Sequence, residues 1–377
     1  METKRKIMFV TGGSYGIERM VTNLIGWLYG TGRWDIVAVL IRQDPEGYGD
    51  LPDGVEVQRI VKCNVSRGVL ALTKAIQEES PDVIYSTQIH YSIATMLAWL
   101  LAGRKGKVVV SEHGCLMKEV EFRKGKRGVK LRVSILLARL LYRFAAKVHM
   151  ISHRALENDA LLLHLPEDKI AVLYDPTIDE RVYRMAQEDC DHPWVKDRRF
   201  PVIVSVGRLS LQKGYRYLVR ALAEVNAKLE CCLIILGEGF ERQMLQDLAK
   251  ELGIESKIDF IGFRENPYPF MQVADLFVMS SLWEGFGIAH AEAMACGAPV
   301  VFTDCDNGPS EIVEDGVSGL LVPIQDVDAL ADAIFELLSD DAKRSRFSEA
   351  AKLRAREFSI EAQAPGYDDL FRSLIDM

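Results

Sequence analysis

A chain of 377 residues is too long for one small domain, and its 49% hydrophobic and 27% charged residues are ordinary for a globular enzyme. The formal net charge of −8 is unevenly distributed, because residues 1–190 carry 27 Lys and Arg against 23 Asp and Glu, whereas residues 191–377 carry 19 against 31. This asymmetry suggests that the basic first half, rather than the acidic second half, is the one that faces an anionic partner.

Short strands rich in β-branched residues alternate with helical or polar segments from the beginning of the chain. In the first half the predicted strands are residues 7–10, 36–41, 83–86, 108–111 and 147–152. The opening METKRK leads directly into the first of them, so no signal peptide is expected, and apolar runs such as residues 93–102 are too short to cross a bilayer.

The same pattern restarts in the second half, after a polar segment at residues 188–200 that is predicted to be a linker. The predicted strands there are residues 201–208, 231–237, 258–263, 275–281, 299–304 and 319–323. The chain is therefore expected to be α/β, with two Rossmann-like, doubly wound parallel-sheet domains, 1–190 and 191–357, facing a central cleft.

A glycine-rich loop, TGGSYGIERMV (residues 11–21), follows the first strand. Gly12, Gly13 and Gly16 suit a tight turn that brings backbone amides to a phosphate, so Gly16 is a candidate cofactor-binding residue. The loop is similar to the opening of short-chain dehydrogenases, although Glu18 stands where their last glycine should be. No tyrosine has a lysine four residues later, as those enzymes require. A plain strand–helix turn and a ligand loop both remain open.

Two cations follow the first strand of the second half, in SVGRLSLQKG (residues 205–214). Arg208 can grip two oxygens at once and Lys213 acts as a point charge, so together they suit a departing diphosphate. The alternative is a pair of solvated surface cations.

The segment SLWEGFGIAHAEAMACGAPVV (residues 281–301) places Glu284 and Glu292 on either side of a Gly-Phe-Gly turn. The alanines that follow favour a helix, whose first amides have no intrahelical partner and point toward an incoming anion. Both carboxylates could reach one ligand, and a nucleotide-sugar, with a phosphate between two sets of hydroxyls, fits that arrangement.

These motifs resemble those of the retaining GT-B glycosyltransferases of family four, most closely over residues 200–340. The matching segments are residues 207–214, 233–239, 284–292, 293–301 and 308–323. Residues 15–19 and 111–114 are similar to family segments in the first half, whereas Asp175 replaces the asparagine usual in the family. The closing residues 358–377 are similar to the terminal helices that cross back onto the first domain in this fold.

The resemblance implies catalytic roles for four residues. Arg208 and Lys213 would hold the donor diphosphate and stabilise the leaving group, and Glu284 would contact hydroxyls of the transferred sugar. His113 would line the reaction centre near the sugar, although it could also be a core histidine. His290 is the least certain of the histidines assigned to the core.

The resemblance also implies how the donor nucleotide is bound. Backbone amides around Phe286, Gly287 and Ile288 would bind phosphate oxygens, and Glu292 would accept hydrogen bonds from the ribose hydroxyls. A UDP-sugar is expected rather than a GDP-sugar, because uridine donors are the more usual among similar enzymes. The resemblance implies that the anomeric configuration is retained, by same-face attack in which the leaving phosphate helps to deprotonate the acceptor.

No obligatory cofactor or metal is expected. Asp-x-Asp pairs occur at 189/191, 304/306 and 326/328, but such pairs are common by chance in a chain with 54 acidic residues. Arg208 and Lys213 already supply the positive charge that a divalent cation would bring.

Residues 118–147 form a basic stretch with ten Lys and Arg and two acids. Leucines and isoleucine recur at helical spacing beside the cations: Leu131, Ile135, Leu136, Leu140 and Leu141. This pattern predicts an amphipathic helix on an anionic membrane surface, although the apolar stripe could equally pack on the first domain. Nucleic acid is not an expected partner, because Phe122 is the one aromatic residue among the cations of residues 118–132.

The sequence thus predicts a glycosyltransferase that uses a glycan or a polyprenyl- or other lipid-linked acceptor, in cell-surface polysaccharide or glycolipid biosynthesis. It is expected to be cytoplasmic and peripheral on the inner membrane face. Two alternatives remain: an NAD(P)-dependent dehydrogenase built on the TGGSYGIE loop, and a non-catalytic nucleotide-sugar-binding protein.

Overall fold

A computed structural model of the chain describes residues 4–12, 15–42, 51–61 and 65–376. The chain divides into two compact units, one formed by residues 1–177 with 360–377 and the other by residues 178–359. The sequence interpretation placed these divisions after residues 190 and 357. The segment 188–200, predicted to be a linker, lies in the second unit.

Seven parallel strands form the sheet of the first unit, in the order β3-β2-β1-β4-β5-β6-β7. They are β1 (Arg5–Thr11), β2 (Trp34–Arg42), β3 (Glu56–Val61), β4 (Val83–Thr87), β5 (Lys107–Glu112), β6 (Lys147–Met150) and β7 (Ile170–Val172). The five predicted strands are confirmed. The two that sequence reasoning missed, β3 and β7, are the edges of the sheet, where partial exposure removes the continuous apolar run of a buried strand.

Helices connect these strands and cover both faces of the sheet. They are α1 (Tyr15–Gly30), α2 (Val65–Glu79), α3 (Ile89–Leu101), α4 (Leu116–Phe122), α5 (Gly125–Leu141) and the single turns α6 (His153–Ala155) and α7 (Leu161–Leu163). Because alternate strand residues point to opposite faces, Met8 and Val10 enter one core cluster and Ile7 and Phe9 enter another.

Six parallel strands form the sheet of the second unit, in the order β10-β9-β8-β11-β12-β13. They are β8 (Val202–Val206), β9 (Cys232–Leu236), β10 (Ile258–Gly262), β11 (Leu276–Met279), β12 (Val300–Thr303) and β13 (Leu320–Val322). All six were predicted from the sequence.

Helices precede the sheet of the second unit and connect its strands. They are α8 (Glu180–Ala186), α9 (Pro193–Asp197), α10 (Tyr215–Asn226), α11 (Arg242–Glu251), α12 (Tyr268–Val273), α13 (Ile288–Ala295), α14 (Pro309–Ile312), α15 (Val327–Ser339) and α16 (Asp341–Ala355).

The last helix, α17 (Ile360–Ile375), belongs to the first unit. Its Tyr367 and Phe371 are fully buried in the core cluster that contains Phe9. Its buried Asp368 accepts hydrogen bonds from the Trp34 indole at 2.6 Å and from the Arg33 guanidinium at 2.7 Å. The chain end is therefore fixed by apolar packing and by a charge-assisted polar anchor.

Each sheet has one point where the strand order reverses, between β1 and β4 in the first unit and between β8 and β11 in the second. Loops that leave the carboxyl ends of two such strands turn to opposite faces and open a crevice, which is where ligands bind in open α/β sheets. The loops after β8 and β11 carry the residues singled out in the second half.

Candidate functional site

The loop after β8 and the segment after β11 are joined by hydrogen bonds at the switch point of the second sheet. The amide of Leu282 donates to the Gln212 carbonyl at 2.7 Å, and the Ser280 hydroxyl donates to the Lys213 carbonyl at 3.1 Å. Gly214 has φ +60°, and a Cβ there would lie 2.1 Å from the Ser280 carbonyl oxygen. The glycine thus permits the close approach that brings Lys213 to Glu284.

Lys213 and Glu284 form a partly buried ion pair. The Lys213 Nζ lies 2.6 Å from Glu284 Oε1, and the Ser281 hydroxyl donates to the same oxygen at 2.5 Å. Burial alone would raise the pKa of Glu284, but the positive charge of Lys213 and these hydrogen bonds hold that pKa below its usual value. Within the part of the chain that the structure describes, no group donates to Oε2, so an ionised carboxylate oxygen remains for a ligand.

The Gly-Phe-Gly turn leads directly into α13. Gly287 has φ +101°, a left-handed conformation that favours glycine, and the helix begins at Ile288, which is partly buried. The Phe286 ring is buried and packs edge-to-face on Phe358 at 5.3 Å. Phe286 can therefore offer a ligand only its backbone, and the first amides of α13 point out of the helix toward that ligand.

Glu292 lies in the second turn of α13 and is buried. Its Oε1 accepts a hydrogen bond at 3.1 Å from the hydroxyl of Tyr268, which is on α12. Sequence reasoning missed Tyr268 and Ser281, the two hydroxyls that orient the two carboxylates. Neither stands in a motif whose spacing would have identified it.

Arg208 is exposed in the loop after β8. In the described ranges it forms no ion pair, and the structure does not bring it into contact with the Lys213–Glu284 pair. The neighbouring loop packs closely, since a Cβ at Gly237 would lie 2.0 Å from the carbonyl oxygen of Gly207. Arg208 therefore shares the carboxyl edge of the sheet with the ion pair and keeps its guanidinium free of a carboxylate.

His113 lies just after β5 in the first unit, with its side chain almost fully buried. Its Nδ1 is 3.2 Å from Asp175 Oδ2 and its Nε2 is 2.8 Å from the Ser111 hydroxyl. The same hydroxyl is 2.7 Å from His149 Nδ1, and burial lowers the pKa of His149 to about 4. Both ring nitrogens of His113 are thus engaged inside the first unit, by a network that includes the Asp175 noted as a departure from the family.

The glycine loop after β1 is described in part. Gly13 lies outside the described residues, whereas Gly16 is the second residue of α1 and is partly buried. The Gln88 amide donates to the Gly12 carbonyl at 3.2 Å, which joins the loops that follow β1 and β4.

The basic stretch forms α4 and α5, and its apolar residues divide between two faces. Leu131, Ile135 and Leu141 are buried in the core of the first unit, whereas Leu136 and Leu140 are 56% and 49% exposed. Two valines extend the exposed set at helical spacing, so that an outer apolar stripe runs through Val129, Val133, Leu136 and Leu140. We call this stripe and the exposed cations Lys126, Arg127, Lys130 and Arg132 beside it the outer face of α5.

The described residues contain no cluster of three or more His, Cys, Asp or Glu side chains placed to hold a metal ion. Among the same residues, no helix combines the length and the apolar character needed to span a membrane.

Comparison with known proteins gives matches over both halves of the chain. A family described as "Glycosyl transferases group 1" matches residues 187–354, and one described as "Glycosyl transferase 4-like domain" matches residues 15–175. The second match begins at residue 15, within the loop on which the dehydrogenase hypothesis rested.

Two relatives and one solved structure illustrate these similarities. The chain is 33% identical over 256 residues to the N-acetylgalactosamine-N,N'-diacetylbacillosaminyl-diphospho-undecaprenol 4-alpha-N-acetylgalactosaminyltransferase of Campylobacter jejuni, covering 68% of this chain and 67% of that protein. It is 36% identical over 174 residues to the lipopolysaccharide core biosynthesis glycosyltransferase LpsE of Rhizobium meliloti, covering 46% of this chain and 50% of that protein. The crystal structure of Anabaena HepE in complex with UDP and glucose matches with a TM-score of 0.78 at 23% identity, covering 98% of this chain and 100% of that one.

Proposed function

The chain belongs to the group 1 glycosyl transferases and has their GT-B fold, and from that premise we propose that it transfers a sugar from a UDP-sugar to a glycan or lipid-linked acceptor, with retention at the anomeric carbon. The observation that carries this proposal is the Lys213–Glu284 pair at the switch point of the second sheet, with one carboxylate oxygen of Glu284 left for a ligand.

Each part of the donor is assigned to the residues whose chemistry suits it. Arg208 and Lys213 bind the diphosphate, and the backbone amides around Phe286, Gly287 and Ile288 bind its oxygens at the beginning of α13. Glu284 Oε2 accepts hydrogen bonds from hydroxyls of the transferred sugar.

The other end of the donor is the nucleoside. Glu292, oriented by Tyr268, accepts from the ribose hydroxyls. Gly16, which follows β1 in the first unit, is proposed to belong to a turn whose backbone amides bind a phosphate.

The arrangement suits the charge that develops during transfer. Cleavage of the bond between the sugar and the diphosphate leaves positive charge on the sugar ring and negative charge on the departing phosphate. A preorganised carboxylate stabilises the first and fixed cations stabilise the second. Lys213 also keeps Glu284 ionised despite its burial, because removal of the cation would leave burial to raise the pKa of that carboxyl. The proton of the attacking hydroxyl passes to the departing phosphate.

Retention of configuration and uridine as the nucleoside come from the family resemblance. The complex of Anabaena HepE with UDP and glucose supports the choice of uridine.

From the family resemblance, His113 is proposed to line the reaction centre near the transferred sugar. Because both of its ring nitrogens are hydrogen-bonded, it organises Ser111 and Asp175 at the carboxyl edge of the first sheet. It reaches a sugar hydroxyl only by exchanging one of these bonds.

Release of UDP from a panel of UDP- and GDP-sugars, measured with and without polyprenyl-diphosphate-linked glycan acceptors, tests the function. We expect acceptor-dependent UDP release that falls at least a hundredfold in Glu284→Gln and in Lys213→Met, because each removes a charge that stabilises the transition state. The matched control is Lys228→Met, which removes an exposed lysine of the same unit and should leave the rate unchanged. Donor binding without turnover would identify a non-catalytic nucleotide-sugar-binding protein instead.

We further propose that the outer face of α5 holds the enzyme on an anionic membrane at the cytoplasmic side, where a lipid-linked acceptor is presented. Exposed leucines and valines flanked by cations match the two components of interfacial binding, apolar insertion and attraction to anionic headgroups. The names of the Campylobacter and Rhizobium relatives, which refer to an undecaprenol-linked substrate and to lipopolysaccharide, support an acceptor of this class and a role in cell-surface glycan synthesis.

Flotation with vesicles that contain or lack phosphatidylglycerol tests the membrane proposal. Since each cation near an anionic surface contributes about 1 kcal/mol, neutralising Lys126, Arg127, Lys130 and Arg132 should abolish salt-sensitive binding. Leu136→Ser with Leu140→Ser should weaken binding even at low salt. Equal flotation with neutral and anionic vesicles, or wild-type flotation by both variants, would contradict the proposal.

A further inference from the structure

His290 is the third residue of α13 and lies directly beneath the Gly-Phe-Gly turn. It is fully buried, and its ring packs edge-to-face on Phe302 of β12 with a centroid distance of 4.2 Å. A Cβ on Gly287 would lie 2.8 Å from His290 Nδ1, so the imidazole fills the space on which the backbone of the turn rests.

Neither ring nitrogen of His290 has a hydrogen-bond partner within the described part of the chain. The Gly287 carbonyl accepts instead from the backbone amides of His290 at 2.9 Å and Ala291 at 3.3 Å. The equally buried ring of His149 differs, because both of its nitrogens are hydrogen-bonded. Its Nδ1 bonds to the Ser111 hydroxyl and its Nε2 bonds to the Leu173 carbonyl at 2.8 Å. A neutral imidazole carries one donor and one acceptor, and burying them unpaired destabilises the fold. A leucine would fill the same space without that cost, so stability does not account for the histidine.

The charged groups that act on this ring belong to the proposed donor site. Glu284 and Lys213 both interact electrostatically with His290, and burial lowers the pKa of the imidazole to about 4. The ring is therefore neutral near pH 7, where it acts on its surroundings through its N–H dipole and its shape rather than through a charge.

We propose that His290 is a positioning residue of the donor site, whose neutral ring supports Gly287 and holds the segment from Glu284 to Gly287 in the conformation that receives the donor sugar. The inference rests on the proposed function. It assigns to His290 the positioning of the turn, a role that neither the diphosphate-binding cations Arg208 and Lys213 nor the two carboxylates have. A buried polar group without a hydrogen-bond partner destabilises the fold, and such groups are expected at functional sites, where activity is gained at the expense of stability.

The test compares His290→Leu with His290→Asn, whose amide group takes the place of the Nδ1 edge of the ring. We expect His290→Leu to melt at or above the wild-type temperature and to bind UDP normally, yet to lose about tenfold in kcat/KM for the UDP-sugar, because leucine lacks the N–H dipole that acts on Glu284 and Lys213. His290→Asn should recover most of that loss. A residue that only packs would change melting temperature and kcat/KM in the same direction in both variants.

The matched control is His192→Asn. This variant changes a buried histidine that contacts Asp259 on the edge strand β10, and it should leave kcat/KM unchanged. Wild-type kcat/KM in His290→Leu, a parallel loss of stability and activity, or an Asn variant as impaired as the Leu variant would each overturn the proposal. Failure of the wild-type protein to consume any nucleotide-sugar would instead contradict the proposed function.

Discussion

Lys213→Met and Glu284→Gln, made singly and together, test whether the two residues act as one unit. Their charged atoms are 2.6 Å apart, which corresponds to an attraction of about 6 kcal/mol at an effective dielectric constant of about 20. Desolvation of both ions offsets most of this attraction. We therefore expect a net coupling of about 1–3 kcal/mol in a double-mutant cycle.

Lys213→Met should be the more damaging single change to local stability. It leaves a buried carboxylate without its counter-ion, and breaking such a pair typically costs about 3–5 kcal/mol. The double variant should recover part of this loss, because it contains neither an unpaired carboxylate nor an unpaired cation.

Native-state hydrogen exchange of the peptides that cover β11 and α13 measures the relevant free energy, since it reports local opening rather than unfolding of a two-unit chain. The exposed pair Lys228–Asp332, with charged atoms 3.6 Å apart in the same unit, provides the matched control and should show no measurable coupling. Additive effects of Lys213→Met and Glu284→Gln would refute the reasoning, because they would mean that neither side chain depends on the other.

Four further outcomes follow from the described residues. Burial lowers the pKa of His149 to about 4 from 6.5, so between these pH values the unfolded chain binds a proton that the folded chain does not. Thermal melts should therefore show up to about 3 kcal/mol of stability lost as pH falls from 6.5 to 4, and His149→Gln should lose less stability over the same range. Burial raises the pKa of Glu112 to about 8 from 4.5, so Glu112→Gln should gain stability relative to wild type as pH rises between those values; a pH-independent difference would contradict this. Gly287→Ala adds a Cβ at φ +101° against the ring of His290 and should abolish the thermal stabilisation by UDP in a shift assay. Asp368→Ala leaves the buried Trp34 N–H unpaired and should cost about 1–3 kcal/mol, seen as faster proteolysis of the last helix, whereas a wild-type cleavage rate would show that apolar packing alone holds it.

The sheets were largely predictable from the sequence, because interior parallel strands are short runs rich in β-branched and other apolar residues, such as residues 83–86 and 300–303. The edge strands were not. In β3, residues 56–60 are exposed or only partly buried. The strand Ile170–Val172 is too short to be distinguished from a loop.

The chemistry of the candidate site was also visible in the sequence, but its contacts were not. Arg208, Lys213, Glu284 and Glu292 stand out by residue type at strand ends. Sequence reasoning gave Lys213 to the diphosphate and Glu284 to the sugar, and it did not foresee that they pair. That pairing depends on the strand order around the switch point, which arises from contacts between residues about seventy positions apart.

The amphipathic helix shows a related difficulty. Helical spacing placed five apolar residues on one stripe, whereas the structure buries Leu131, Ile135 and Leu141 and exposes Leu136 and Leu140. A period of 3.6 residues defines a face only to within about one neighbouring position. The side that faces the core is decided by the sheet beneath the helix.

Calorimetric titration of UDP and of the preferred UDP-sugar into wild type, Glu292→Gln and Glu284→Gln tests the assignment of the donor site most directly. If Glu292 contacts the ribose, Glu292→Gln should weaken the binding of both ligands by the same factor, about tenfold for one charged hydrogen bond. If Glu284 contacts the sugar, Glu284→Gln should leave the affinity for UDP unchanged and remove the extra affinity for the UDP-sugar. Equal weakening of both ligands by both variants, or of neither ligand by either variant, would contradict the account.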